Sequence, residues 1–207
     1  SDVCSSDLDP LLHPRFDEFA AMAIDAGVRA VRVRTDLAVE PAVVDRLVAA
    51  PIAIVDVDLG AESRAVYERV HGVDMYELVG RNLEHLIESR RLLGGRDATR
   101  ARGYGLPWIV PRIERRSETI GEIPEFFERW RRRLGVAVID PAMSWPEHVG
   151  LPSDGLLGTW PPDRHRRFVA ATRLTVLADG SVPVDEGDLT GIESIGRVDR
   201  KSTRLNS

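Results

Sequence analysis

The feature that most constrains the fold is a repeated alternation between short apolar runs and segments with helical periodicity. Apolar, often β-branched runs predict strands at residues 28–35, 52–59, 106–113 and 136–139. Apolar residues at helical spacing predict helices at residues 14–26, 41–50, 63–70, 75–92 and 122–134. This alternation indicates parallel βαβ units, and nearly continuous apolar strands are typical of a sheet covered on both faces. The sequence therefore predicts an α/β fold with about four parallel strands, which is half of a TIM-type barrel or one open doubly wound sheet.

The composition changes after residue 140. Residues 141–167 are rich in Pro, Gly and Trp and lack periodicity, which is typical of a linker. Residues 172–185 form two short alternating runs joined through Asp179 and Gly180, which predicts a β-hairpin. We therefore expect a barrel-like part at residues 9–140, a linker, and a small β-hairpin region at residues 168–198.

The two ends of the chain look foreign to the rest. Residues 2–8 (DVCSSDL) and 199–204 (DRKSTR) are translations of one DNA string and of its reverse complement, and they resemble sequencing-adapter DNA. We expect residues 1–8 and 199–207 to be artefacts and residues 9–198 to be a piece of a longer protein. The only cysteine, Cys4, and the only lysine, Lys201, lie in these ends.

Composition excludes some classes of function. The chain is 43% hydrophobic and 29% charged, as expected of a globular protein, and no apolar run approaches the roughly 20 residues of a membrane span. Its net charge of −5 argues against nucleic-acid binding. The absence of cysteine from residues 9–198 fits a cytoplasmic location. We expect no membrane partner and no nucleic-acid partner.

Charged side chains follow the predicted strands. In the second strand, Ile52, Ile54, Asp56 and Asp58 share one face because side chains alternate. That face changes from apolar to acidic toward its carboxyl end. The ends of the other strands carry Arg34, Asp36, Arg112, Glu114 and Asp140. Ligands of α/β folds bind outside the carboxyl ends of the strands, so the sequence predicts a site there.

These residues also have purely structural interpretations. Asp58 could be the N-cap of a helix that begins near Ala61. Arg112 could form a buried ion pair with Asp56 or Asp58 and bind no ligand. Asp36 and Asp140 could be turn residues. The histidines show no metal-ligand spacing and no acidic partner at a useful offset, so we expect no metal site and interpret them as packed or surface residues.

Several phrases resemble the later part of a radical S-adenosylmethionine (SAM) enzyme. The strand-and-helix phrases VDVDLGAESRAVYERVHG and VGRNLEHLIESRRLL lie within residues 55–93, AIDAGVRAVRVRTDLAV precedes them, and IGEIPEFFERWRRRLGVAVID follows. The phrase RLTVLADGSVPVD resembles the start of a SPASM extension. The resemblance implies a partial TIM barrel whose parent uses SAM and a 4Fe-4S cluster. Such a parent would cleave SAM reductively and abstract hydrogen from an unknown small-molecule or peptide substrate. By position, it implies SAM contacts from Thr35, Asp56, Asp58 and Arg112.

The chain departs from the family pattern in its cysteines. The family's CxxxCxxC motif, which holds the cluster, would stand before Asp9 and does not occur in the sequence, and the SPASM-like region has no cysteine. Asp56 replaces the usual Ser, and Thr35, Asp36 and Leu37 replace Thr-Asn-Gly. We therefore expect the chain by itself to be inactive. The alternative is a noncatalytic α/β domain that binds a small molecule or a partner. A cofactor-free barrel hydrolase or isomerase would need acid–base pairs that the sequence does not reveal.

Overall fold

The structure, a computed structural model, describes residues 9–93, 107–140, 181–183 and 194–197. The chain divides into two compact units, Ser1–Ala142 and Met143–Ser207. In the described part of the chain, no helix is both long enough and apolar enough to cross a bilayer.

The first unit contains a parallel four-stranded sheet whose spatial order follows the chain, β1-β2-β3-β4. The strands are β1 (Arg32–Thr35), β2 (Ile54–Asp58), β3 (Trp108–Glu114) and β4 (Val138–Asp140). A 3₁₀ turn (Pro10–Leu12) precedes helices α1 (Phe16–Asp25), α2 (Pro41–Ala49), α3 (Arg64–His71), α4 (Tyr76–Leu93) and α5 (Ile123–Leu134). A doubly wound sheet reverses its strand order at a switch point, and these four strands do not. The predicted α/β fold is confirmed, and the strand order is that of a barrel arc.

The ends of the helices follow local sequence signals. After α1, Gly27 adopts a φ of 92° and its N–H donates to the Ile24 carbonyl at 2.9 Å. The Val28 N–H donates to the Ala23 carbonyl at 3.0 Å, which completes a Schellman motif. This cap uses the Val28 N–H, and the strand predicted from residue 28 begins at Arg32.

The start of α3 corrects one interpretation of Asp58. The N-cap of this helix is Ser63, whose Oγ accepts from the Val66 N–H at 3.4 Å. The Asp58 carboxylate instead accepts from Arg34 on the neighbouring strand. Asp58 is therefore not the helix cap, and its side chain belongs to the sheet.

The hydrophobic core lies on one face of the sheet. All five helices contribute to a single core cluster, which from the strands takes Val33, Val55, Val57, Ile109 and Ile113. These strand residues share one face by alternation. Within the described residues, the opposite face carries charged side chains and the exposed Trp108. The sheet is thus covered by these helices on one side, whereas the sequence predicted a cover on both.

The second unit has a described antiparallel pair, β5 (Ser181–Pro183) and β6 (Ser194–Arg197). The small β region is therefore present. The first arm of the hairpin predicted through Asp179 and Gly180 lies outside the described residues, as does the linker predicted at residues 141–167. Within the described residues, Ser181–Pro183 pairs with Ser194–Arg197, a later segment whose strand was not predicted from the sequence.

Candidate functional site

The uncovered face of the sheet carries interleaved positive and negative side chains. In the strand register, Arg34 is the partner of Asp56, and Asp58 is the partner of Arg112. Register partners in a parallel sheet point to the same side, so these residues share one face. We call this set the charged layer; its members are Arg32, Arg34, Asp56, Asp58, Arg112 and Asp140.

Arg112 is the centre of the charged layer. Its Nη1 donates to Asp56 Oδ1 at 2.6 Å, and its Nε donates to Asp140 Oδ2 at 2.8 Å while Nη2 reaches the other oxygen of Asp140. The side chains of Arg112 and Asp56 are only 11% and 1% exposed. The predicted ion pair between Arg112 and Asp56 is confirmed, whereas Asp140 is a strand residue that pairs with Arg112 and not a turn residue.

Two arginines of β1 complete the layer from its solvent side. Arg32 donates Nη2 to Asp56 Oδ1 at 2.9 Å and Nε to the other oxygen of the same carboxylate. Arg34 donates Nε to Asp58 Oδ2 at 2.5 Å. Both arginine side chains are about half exposed, so they are the accessible cations of the layer.

A contact between β1 and β4 shows that the sheet is curved. Arg34 Nη2 lies 3.5 Å from Asp140 Oδ2, although β2 and β3 lie between β1, which carries Arg34, and β4, which carries Asp140. In a flat sheet those strands would be about 14 Å apart, three spacings of about 4.8 Å. Side chains that stand perpendicular to a flat sheet could not bridge that distance. The charged layer therefore lines the concave face of the arc, which corresponds to the interior of a barrel.

The two aspartates of β2 differ in electrostatic environment. Burial raises the pKa of Asp56, but hydrogen bonds from Arg32 and Arg112 outweigh it, and the resulting pKa lies below the ordinary aspartate value. Burial raises the pKa of Asp58 above its ordinary value despite the hydrogen bond from Arg34. Asp56 is thus a buried carboxylate committed to two arginines, and the more exposed Asp58 is better placed to meet a ligand.

Thr35 does not join the charged layer. It is the register partner of Val57, so its side chain points to the core face, where it is buried. Its hydroxyl donates to Asp9 Oδ2 at 2.6 Å. The structure thus brings Asp56, Asp58 and Arg112 together and places Thr35 on the opposite face. Arg32 was not predicted as a site residue, although the alternation Arg32-Val33-Arg34 places it on the same face as Arg34.

A second polar cluster surrounds Asp9 at the carboxyl end of β1. Asp9 accepts from the Thr35 hydroxyl, from the Asp36 N–H at 3.0 Å and from the Leu11 N–H at 2.8 Å. Burial, together with a hydrogen bond to the Asp36 carboxyl, raises the pKa of Asp9 to about 6. Asp36 Oδ1 also accepts from the Ala38 N–H at 3.0 Å, which confirms that Asp36 is a turn residue.

The described histidines lie apart from the charged layer. His71 stacks on Tyr67 with ring centroids 4.2 Å apart, and burial lowers the pKa of His71. His85 Nε2 lies 2.6 Å from Asp45 Oδ1, an acidic partner that the sequence analysis did not find because 40 residues separate the two. Within the described ranges, no group of three or more His, Cys, Asp or Glu residues is arranged to hold a metal ion.

Comparison with known proteins does not assign this chain. No protein-family model matches it, and no curated protein matches it. A function must therefore be inferred from the fold, from the charged layer and from the sequence segments quoted above.

Proposed function

We propose that this chain is part of a radical SAM enzyme and that its charged layer faces the SAM molecule. The observation that carries the proposal is a parallel arc in chain order with its helices on the convex face and Asp56, Asp58 and Arg112 on the concave face. The segments within residues 55–93 that resemble the family form β2 and the two helices that follow it, α3 and α4.

The accessible groups of the charged layer fit the methionine part of SAM, which carries a carboxylate, an ammonium and a sulfonium. Arg34 has five N–H donors, more than its aspartate partners take, and its exposed edge can bind a carboxylate. Asp58 is partly exposed and can accept from an ammonium. When bound, SAM supplies the precursor of the radical chemistry of this family. Arg34 and Asp58 would hold and orient it.

The iron–sulfur cluster does not fit the described part of the chain. A 4Fe-4S cluster in this family needs three cysteine thiolates, and the only cysteine, Cys4, lies outside the described residues. No described His, Cys, Asp or Glu group takes the place of those thiolates. We therefore propose that the chain binds SAM without performing its cleavage. The cytoplasmic location and the small-molecule or peptide substrate remain predictions.

Binding of SAM to the 207-residue chain tests the proposal. Isothermal titration calorimetry should detect binding of SAM by the unaltered protein. Arg34→Gln and Asp58→Asn should each weaken it about tenfold or more, the effect of losing one charge-assisted hydrogen bond. Arg64→Gln is the matched control, because Arg64 is an exposed, ion-paired arginine on α3. Absence of SAM binding by folded protein would refute the proposal.

One observation favours the alternative of a noncatalytic binding domain. Arg112 already has carboxylate partners in Asp56 and Asp140, so the deepest cation of the layer is neutralised within the protein. A domain of this kind would bind a small molecule or a partner through the rim arginines alone. In the same titration, Asp58→Asn would then leave the affinity for SAM unchanged, because only the arginines take part in such a site.

A further inference from the structure

The helix layer of the first unit encloses a cavity between α3, α4 and α5. The cavity has a volume of about 60 Å³ and lies on the side of the sheet that holds the hydrophobic core. Its walls combine three aromatic rings with aliphatic side chains: Tyr67, Tyr76, Trp130, Leu59, Val79 and Leu83. The cavity is therefore mainly apolar, and no residue of the charged layer lines it.

Trp130 brings a hydrogen-bond donor without a partner to this wall. Its side chain is 4% exposed, and within the described residues its Nε1 is buried and has no acceptor. Most buried N–H groups are paired, because a donor that is withdrawn from water and forms no new hydrogen bond destabilises the fold. The indole nitrogen can only donate. An occupant of the cavity that presents an acceptor to Trp130 would remove this cost.

The Trp130 ring is held in place by two arginines of its own helix. The guanidinium carbons of Arg129 and Arg133 lie 5.1 and 5.7 Å from the ring centroid. Arg129 in turn pairs with Glu62, and Arg133 pairs with Glu84 of α4. Turning the ring toward another acceptor would disrupt these contacts, so the acceptor has to come to the ring.

The groups around the cavity carry no net charge. The two ion pairs that hold the Trp130 ring neutralise each other's surroundings at the edge of the cavity. The Tyr76 hydroxyl donates to the Glu62 carbonyl at 2.7 Å. Burial raises the pKa of Tyr67 to about 12, so this wall is also uncharged at neutral pH. The cavity therefore favours a neutral occupant over an ion.

Gly80 keeps the edge of the cavity open. It lies inside α4 in one row with Tyr76 and Glu84, because residues four apart share a helix face. Glycine inside a helix is less stable than alanine, and Gly80 has no positive φ that would require glycine. An added Cβ would meet no atom within 4 Å. A larger side chain at this position would stand at the edge of the cavity, and glycine leaves that space free.

The size of the cavity limits its occupant to a few non-hydrogen atoms. An apolar cavity of about 150 Å³ holds benzene, and this one has less than half of that volume. We propose that the cavity binds a small neutral carbonyl compound, a ketone or an amide, whose oxygen accepts a hydrogen bond from Trp130 Nε1. The apolar part of this ligand packs against the aromatic and aliphatic walls. This site goes beyond the proposed function and does not depend on SAM.

Titration of the 207-residue chain with acetone, followed by ¹H–¹⁵N NMR, tests the proposal. The indole N–H resonance of Trp130, identified by its loss in Trp130→Phe, should move downfield and saturate as the hydrogen bond forms. A ligand of so few atoms binds weakly, so we expect a Kd in the millimolar range. Dichloromethane has a similar size and no carbonyl group, and it should bind about fivefold more weakly or not at all.

Two substitutions separate the hydrogen bond from the shape of the cavity. Trp130→Phe should weaken acetone binding about fivefold, measured at the backbone amide of Leu83, whereas Trp108→Phe alters an exposed tryptophan outside the cavity and should have no effect. Gly80→Leu should weaken binding about tenfold or more by filling the edge of the cavity. Gly121→Leu is its matched control, at an exposed glycine with open space around it and outside the cavity.

Three outcomes would overturn the proposal. A Trp130 resonance that acetone does not move, in folded protein, would show that the cavity holds water only. Equal affinities for acetone and dichloromethane would show that apolar molecules fill the cavity without recognition of a carbonyl group. Unchanged acetone binding by folded Gly80→Leu would place the ligand elsewhere. Circular dichroism checks the folding of each variant, and the comparison of acetone with dichloromethane needs no variant.

Discussion

The charged layer makes a quantitative prediction for Asp56→Asn. Asp56 is 1% exposed and accepts hydrogen bonds from Arg32 and Arg112. The substitution keeps the volume of the side chain but removes its charge, so Arg112 keeps Asp140 as its hydrogen-bonded carboxylate, with Asp58 Oδ1 4.0 Å away. Because both Arg112 and Asp56 are largely withdrawn from water, this loss has no compensation from solvent.

The expected loss follows from burial. Removing one partner of a buried ion pair costs about 3–5 kcal/mol, and retention of Asp140 places Asp56→Asn at the lower end, about 3 kcal/mol. Arg32→Gln removes a half-exposed partner of the same carboxylate and should cost about 1 kcal/mol or less. Asp56 and Arg32 form one ion pair, yet their substitutions should lower the free energy of unfolding by different amounts, because Asp56 is buried and Arg32 is half exposed.

Urea denaturation at neutral pH measures both losses, with Arg64→Gln as the control for an exposed ion pair. The pKa of folded Asp56 lies below the ordinary value, so its stabilisation is present above the unfolded pKa and disappears as the pH falls through the folded pKa. The difference between wild type and Asp56→Asn should therefore shrink in acid. Equal losses for Asp56→Asn and Arg32→Gln at neutral pH would refute the argument from burial.

Two other predictions concern backbone and titration. Gly60 has a φ of 69° and an added Cβ would overlap the His71 ring, so Gly60→Ala should cost about 2–4 kcal/mol in thermal or urea unfolding. Gly72 has a φ of 70° with open space around it, so Gly72→Ala should cost only about 1–2 kcal/mol, and equal costs would contradict the overlap. Burial raises the pKa of folded Asp9 to about 6. Its contribution to stability is therefore full below the unfolded pKa and is lost as the pH rises through about 6. Asp9→Asn should remove this part of the pH dependence of the melting temperature, and an unchanged profile would count against it.

The sequence predicted the parts of the structure that depend on short-range periodicity. Alternation along β2 placed Asp56 and Asp58 on one face, and the apolar runs located four strands whose ends differ from the predicted ones by a few residues. The same rule would have placed Arg32 beside Arg34, and Thr35 on the other face. Which face of β1 meets which face of β2 depends on the register between them, and that register pairs Thr35 with Val57.

Apart from the ion pair between Arg112 and Asp56, the sequence did not predict contacts that depend on how distant segments converge. Arg112 and Asp140 lie 28 residues apart, and the curvature of the sheet brings Arg34 to the same carboxylate. The approach of Asp9 to Thr35 depends on the 3₁₀ turn that leads into α1. Neither distance is encoded in a local pattern, because each is fixed by packing of the whole arc.

Along β2 the concave face changes from apolar to acidic, and this change is the strongest support for the proposed ligand on that face. Val55 and Val57, which face the helices, stay apolar, whereas on the opposite face Ile54 is followed by Asp56 and Asp58. A buried ion pair stabilises a fold no better than well-packed apolar side chains of similar volume, because desolvation offsets the attraction. Stability alone would therefore favour further isoleucine or valine on this face, as at its start. Charges at the carboxyl half of a concave parallel sheet are what the proposed ligand would require, and the half-exposed Arg34 and the 31% exposed Asp58 are the groups that this ligand would reach first.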